Sequence, residues 1–323
     1  MLDSFGREIN YLRIAVTDRC NLRCRYCMPE EGVTLRPAGE ILRLEEIAYL
    51  GRCATEVGIR RVRLTGGEPL VRKNLAYLVR ALKEAGMEEI SLTTNGTLLA
   101  ARAEELKASG LDRVNVSLDT LDPARFVHLT RGGDLTQVLA GLRAAYAVGL
   151  SPVKINTVVA RDLNFDEIPA FCELAYRYPV HVRFIEIMPV GQGARWGKPV
   201  PEVEITAELE RLGWRLPVHP PAGNGPAESF TRPGAAGTVG IIGGRTGEIC
   251  SRCNRVRLTA LGGLRSCLYS DAEIEVKGPL RRGASREEIV ALFRQAILGK
   301  PQAHPRVPPG EPGPGTYMSQ IGG

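Results

Sequence analysis

An α/β fold built as an incomplete barrel of six strand-helix units is predicted by three observations. Apolar strand-like runs recur at 12–16, 61–65, 89–94, 113–118, 152–159 and 181–188. Segments of helical period lie between them, at 43–57, 74–85, 101–109, 135–148 and 166–177, an alternation that builds a parallel sheet wrapped by helices. The polar motifs fall at the C-terminal ends of the runs, which is where barrels of such units assemble their active sites.

The first run, Leu12 to Val16, leads into Cys20-Asn-Leu-Arg-Cys-Arg-Tyr-Cys27. Three thiols at C-x3-C-x2-C can meet on one tight loop, and thiolates so close repel each other unless a metal takes up the charge. A closed structural zinc takes four ligands, whereas three cysteines without a local histidine leave one position of an iron-sulfur cluster open. Asp18, Arg19 and Arg23 make the loop too polar for a core segment. The second run ends in Thr65-Gly-Gly-Glu-Pro69, where Gly66 and Gly67 permit close approach of backbone to a ligand and Glu68 offers a carboxylate to an ammonium group. The third ends in Thr93-Thr-Asn-Gly96, whose Asn-Gly also reads as an ordinary turn, and the fourth in Ser117-Leu-Asp119. Asn156 and Thr157 lie near the end of the fifth, and Met188 closes the sixth.

Beyond residue 190 the alternation is expected to end. Residues 217–238 are dense in Pro and Gly, with His219-Pro-Pro221 and Asn224-Gly-Pro226, and read as a loop crossing the surface or covering the barrel mouth. A second triad follows, Cys250-x2-Cys253-x13-Cys267, with His219 the nearest histidine in sequence. A second open-cornered cluster and a structural zinc are both compatible with it. Asn254-Arg-Val-Arg257 would place Arg255 and Arg257 on one face of a strand, a pair that suits a triphosphate, although arginine pairs are also common on ordinary surfaces. Residues 301–315 are too rich in Pro and Gly for a helix or central strand and read as an extended tether to Tyr317-Met-Ser-Gln-Ile-Gly-Gly323.

The 323 residues, 44% hydrophobic and 24% charged, suffice for one large domain or two smaller ones. No apolar run approaches the length of a membrane span and the first residues lack an apolar signal segment, so a cytoplasmic location is expected. In a reducing compartment the six clustered cysteines read as metal ligands, and Cys53 and Cys172 as core thiols. A net charge of +6 suits an anionic ligand but is too mild to argue for nucleic acid or membrane as partner.

The first cysteine loop, with Tyr26 before its third cysteine, followed by Gly-Gly-Glu-Pro, resembles the radical S-adenosylmethionine (radical SAM) family. Adding Cys250-x2-Cys253-Asn-Arg-x-Arg257, Cys267 and the terminal Gly-Gly, residues 11–323 resemble the branch that cyclises GTP at the start of molybdenum cofactor synthesis. The resemblance implies an incomplete (β/α)6 TIM-type barrel over 1–190, a region 191–300 that carries an auxiliary cluster over the barrel mouth, and a tail 301–323. It implies a [4Fe-4S] cluster on Cys20, Cys24 and Cys27 that binds SAM, and a second on Cys250, Cys253 and Cys267 that takes the guanine of GTP. Tyr26, Gly67, Glu68, Ser117 and Met188 then correspond to SAM contacts, and Arg13, Arg63, Thr93, Lys154, Arg255, Val256 and Arg257 to GTP contacts, with Gly322 and Gly323 entering the active site.

The implied reaction converts GTP to (8S)-3',8-cyclo-7,8-dihydroguanosine 5'-triphosphate. A SAM-derived radical takes hydrogen from C3' and the carbon then attacks C8, so no side chain need act as acid, base or nucleophile. The same resemblance implies an external electron donor, a monomer or homodimer, and a product passed to cyclic pyranopterin monophosphate synthase. Two rival readings are a peptide-modifying radical SAM enzyme with an auxiliary cluster, for which no peptide-binding module precedes the first strand, and a zinc protein that binds nucleic acid.

Overall fold

The computed structural model describes residues 1–194, 196–217, 226–244, 248–304 and 317–322. His219, most of the expected tether (305–315) and Gly323 lie outside the described residues. Six strands, β1 (Tyr11–Ala15), β2 (Arg61–Thr65), β3 (Glu89–Thr94), β4 (Arg113–Ser117), β5 (Val153–Val159) and β6 (Val180–Glu186), pair in parallel in chain order. Between them run α1 (Leu44–Glu56), α2 (Leu75–Glu84), α3 (Ala103–Ala108), α4 (Pro123–Thr130), α5 (Leu135–Ala147) and α6 (Ile168–Arg177). Every run and helix expected from the sequence is present, with ends within two residues of the expected ones.

Apolar periodicity builds this layer. Ile47, Leu50 and Cys53 of α1, Leu78 and Leu82 of α2 and Phe171 and Cys172 of α6 join the outward faces of the strands in one buried cluster, which places both single thiols in the core as expected. The helix missed from sequence, α4, carries its own start signal: Asp122 caps it, accepting from the Arg125 N–H at 2.8 Å, and Pro123 opens its first turn.

The expectation that the alternation ends at 190 is corrected. Next come α7 (Glu202–Arg211), β7 (Glu228–Phe230) and β8 (Thr238–Ile242), and β8 pairs in parallel with β6. Then follow β9 (Arg255–Leu258), β10 (Gly263–Arg265), β11 (Ile274–Glu275), α8 (Lys277–Arg281), α9 (Arg286–Leu298) and α10 (Met318–Ile321). Strand β9 pairs in parallel with β1, so two strands from beyond 190 extend the parallel sheet at both sides, with antiparallel β10, β11 and β7 outside them. The chain order across the sheet is β11-β10-β9-β1-β2-β3-β4-β5-β6-β8-β7, an incomplete barrel whose end strands do not pair with each other among the described residues.

Part of the stretch expected as loop is therefore strand. Close packing demands glycine here: a Cβ on Gly237, within that stretch, would lie 1.9 Å from the Val180 carbonyl oxygen, and one on Gly240, just beyond it in β8, 2.9 Å from that of Glu228. No helix among the described residues is long and apolar enough to cross a membrane.

Candidate active site

A cavity of about 890 Å³ fills the interior of the sheet, and all six clustered cysteines line it. The first three sit on the loop after β1, and the end of β2 holds that loop. Gly67 N–H donates to the Thr17 carbonyl at 2.9 Å and Glu68 N–H to that of Arg19 at 2.8 Å. A Cβ on Gly67 would stand 2.3 Å from the Arg19 carbonyl oxygen, and Gly66, at φ +146°, one of 2.4 Å from that of Thr17. The close approach that the glycine pair permits is thus, first of all, to the backbone of the cysteine loop.

Burial pushes the Cys20 thiol up to about 11, with Glu68 adding to it, and also pushes Cys24 and Cys27 up, where neighbouring cysteines and Asp119 add to the effect. Three half-buried thiols that oppose each other's ionisation need a positive centre to become ligands, and an all-sulfur donor set suits an iron-sulfur cluster. Among the described residues no three His, Cys, Asp or Glu side chains converge as a single metal ion requires.

Tyr26, Gly67, Ser117 and Met188 line the same cavity. The Tyr26 hydroxyl donates to Asp119 Oδ2 at 2.8 Å, and Asp119 Oδ1 accepts from the Val158 N–H at 2.8 Å. Burial holds Asp119 up at about 6. Glu68 differs from its expected role. It is buried away from the cavity lining, and its carboxylate accepts from Leu70 N–H (2.9 Å), the Thr94 hydroxyl (2.7 Å) and Asn95 N–H (2.7 Å), so it locks the ends of β2 and β3 together.

Opposite lies a basic wall. The strand register sets Arg257, Arg13 and Arg63 abreast on β9, β1 and β2. All three line the cavity with Arg255, Lys154 and Thr93. Val256 alternates to the other face and its side chain belongs to the core. Thr93 Oγ1 is buried with no hydrogen-bond partner among the described residues. Burial holds Arg13 well below its ordinary value, and the charges of Arg257, Arg63 and Arg255 depress it further. Arg257 is lowered by burial to about 10, and Arg183, an inward residue of β6 that no motif marked, to about 9. Like charges packed abreast are mutually destabilising until an anion sits among them.

Burial, then Arg183, Arg113 and Arg63, bring Lys154 down to about 7. A base depressed in the fold destabilises it below pH 7, and the ligand-free stability rises from there toward the ordinary lysine value. A bound polyanion reverses the shift, so above pH 7 nucleotide binding takes up a proton. Calorimetry at pH 8 in two buffers of different ionisation enthalpy should show about one proton or less taken up, lost in Lys154→Met. Equal enthalpies in both buffers would remove Lys154 from the site.

The second triad lies on the approach to β9 and just after β10. Burial would raise Cys253, but Arg255 and Lys300 outweigh it and bring the thiol down to about 6. The penultimate residue also reaches this region. The Gly322 carbonyl accepts from Arg257 Nη1 at 2.6 Å, and at φ +75° a Cβ there would stand 2.4 Å from Thr65 Cγ2.

Residues 14–175 match the radical SAM superfamily and residues 180–305 the family described as Molybdenum Cofactor Synthesis C. The chain is 52% identical over 327 residues to a GTP 3',8-cyclase of Pelotomaculum thermopropionicum and 54% identical over 325 residues to one of Moorella thermoacetica, covering 100% of each chain in both cases. The chain belongs to the GTP 3',8-cyclase family. Like the rest of that family it is a radical SAM enzyme of molybdenum cofactor biosynthesis, with a [4Fe-4S] cluster and SAM as its cofactors. The fold is also that of SuiB from Streptococcus suis bound to S-adenosylmethionine, with a TM-score of 0.59 at 16% identity over 83% of this chain and 63% of SuiB. The chain spans less than two thirds of SuiB, and that likeness shows the fold alone.

Within the family frame, sequence reasoning missed Arg183, Asp119 as the partner of Tyr26, and Lys300, Tyr269 and His304 beside the second triad, all of which line the cavity. Two-residue alternation along β6 carried the signal for Arg183. Nothing local marked Lys300 or His304.

Proposed function

We propose that this chain converts GTP to (8S)-3',8-cyclo-7,8-dihydroguanosine 5'-triphosphate within the cavity just described, between two [4Fe-4S] clusters. The single observation that carries the reading is that both cysteine triads and the row Arg257, Arg13 and Arg63 line one cavity. Cys20, Cys24 and Cys27 would hold the first cluster with SAM against Tyr26, Gly67, Ser117 and Met188. Cys250, Cys253 and Cys267 would hold the second. When bound, the first cluster and SAM supply the radical chemistry. The chain itself binds and orients the substrate: the basic wall takes the triphosphate, Thr93 offers a buried hydroxyl, and the cavity walls limit the access of bulk water to the reacting carbons.

Glu68 is better read as a brace for the SAM-binding turn than as a direct contact, and Val256 as a contact through its backbone. Through its described residues the region 191–300 closes the cavity over the barrel of 1–190, and Gly322 of the tail 301–323 reaches Arg257. A cytoplasmic enzyme fed by an external electron donor, acting as a monomer or homodimer and passing its product to cyclic pyranopterin monophosphate synthase, fits this reading.

The test is an anaerobic incubation with GTP, SAM and dithionite, followed by identification of the products. Formation of 5'-deoxyadenosine without a cyclised nucleotide would overturn the substrate assignment. Replacing Arg257 or Arg255 with Ala should weaken GTP binding by about 1.5 to 3 kcal/mol, the range for a hydrogen bond to a charged group, with incomplete rescue by Lys because the planar fork is lost. Unchanged affinity in both variants would return the pair to an ordinary structural role.

A further inference from the structure

Lys300 follows α9 and is 4% exposed, yet it pairs with no carboxylate among the described residues. Its ammonium donates to the Arg255 carbonyl at 2.8 Å and the Ser266 carbonyl at 2.7 Å. Arg255 stands two residues after Cys253 and Ser266 immediately before Cys267, so one buried cation ties the start of β9 to the residue after β10, beside both of these cysteines. The residues after it reach the remaining cysteine. His304 N–H donates to Cys250 Sγ at 3.4 Å, and the His304 ring stacks on Tyr269 with centroids 4.1 Å apart. Tyr269 N–H in turn reaches Cys267 Sγ at 3.5 Å. From the other side, Arg7 donates to the Cys250 carbonyl at 2.8 Å and to those of Pro301 (2.6 Å) and Gln302 (2.9 Å).

We infer that Lys300 is a positioning residue for the second cysteine triad, holding Cys253 and Cys267 in register and supplying the buried positive charge that a cluster on three thiolates meets. Residues 300–304 thereby join the base of the tail to all three ligand-bearing segments. The inference rests on the reading that the second triad holds a cluster. A buried ammonium whose hydrogen bonds go to carbonyls, with no carboxylate partner among the described residues, is costly by itself, and an anionic cluster beside it offsets that cost. Outer partners of metal ligands fix ligand orientation and tune the metal in this way.

The test uses the full chain with Cys20, Cys24 and Cys27 replaced by Ala, so that any iron belongs to the second triad. Adding Lys300→Met should let a chelator strip that iron at about 10- to 100-fold lower concentration, the usual effect of losing an outer partner. The cluster that remains should be reduced at a lower potential, because a nearby positive charge favours the reduced form. Lys300→Arg should restore the potential and part of the retention. Iron retention and potential both unchanged in Lys300→Met would overturn the inference and leave the second-cluster reading standing. Absence of iron from the background protein itself would overturn both. If the methionine variant does not fold, as judged by circular dichroism, His304→Ala carries the same comparison: a smaller loss of iron is expected, and none would count against the brace.

Discussion

Replacement of Cys20, Cys24 and Cys27 with Ala is expected to abolish 5'-deoxyadenosine formation, whereas replacement of Cys250, Cys253 and Cys267 should impair GTP binding and leave part of the SAM cleavage. Each triple variant should lose about half the iron, falling from about eight to about four per chain, if each triad holds one [4Fe-4S] cluster. The asymmetry follows from surroundings. The first triad shares its loop with Tyr26 and is held by Gly66 and Gly67, while the second lies beside Arg255 and Arg257. Product analysis by mass spectrometry and nucleotide binding under anaerobic conditions separate the two functions. Equal loss of both activities from either variant, with the fold intact, would show that the triads do not divide the work.

Gly67→Ala should have nearly as large an effect through a single methyl group. Its Cβ would fall 2.3 Å from the Arg19 carbonyl oxygen and 2.9 Å from that of Asp18, both backbone atoms that no side-chain rotation can move. Overpacking of this kind costs about 1 to 3 kcal/mol, and the relief available here is displacement of the cysteine loop one residue before its first ligand. The expected result is a folded protein that holds about four irons and forms little 5'-deoxyadenosine, since the second triad is untouched. A control at Gly86, where a Cβ would meet nothing within 4 Å although its φ of +92° carries strain, separates contact from backbone strain. Full iron content in Gly67→Ala would mean that the loop tolerates the shift, and that the glycine pair serves the ligand alone.

The sequence by itself determined the barrel units, because each of the first six strands and its helix is encoded by apolar spacing within a dozen or so residues, and a period of 2 or 3.6 needs no distant partner to be read. It also marked the cysteines of the first cluster site, since C-x3-C-x2-C is a short-range pattern on one loop, and it singled out the second triad as a metal-site candidate. Tertiary structure alone decided the rest. That β8 and β9 would extend the same sheet from either side was hidden because their partners, β6 and β1, lie far away in the chain, and because Gly237, read locally as loop, is demanded by the backbone of Val180 just before β8. That Glu68 would bind Leu70, Thr94 and Asn95 was hidden because a carboxylate's partner is whatever donor the fold brings to it, here the end of the neighbouring strand. The row Arg257, Arg13 and Arg63 joins residues far apart in the chain, and only the pairing of β9 with β1 and of β1 with β2 sets their charges side by side. Local spacing fixes which side chains share a face, whereas long-range pairing fixes which faces meet, and the electrostatics of this cavity depend on the second.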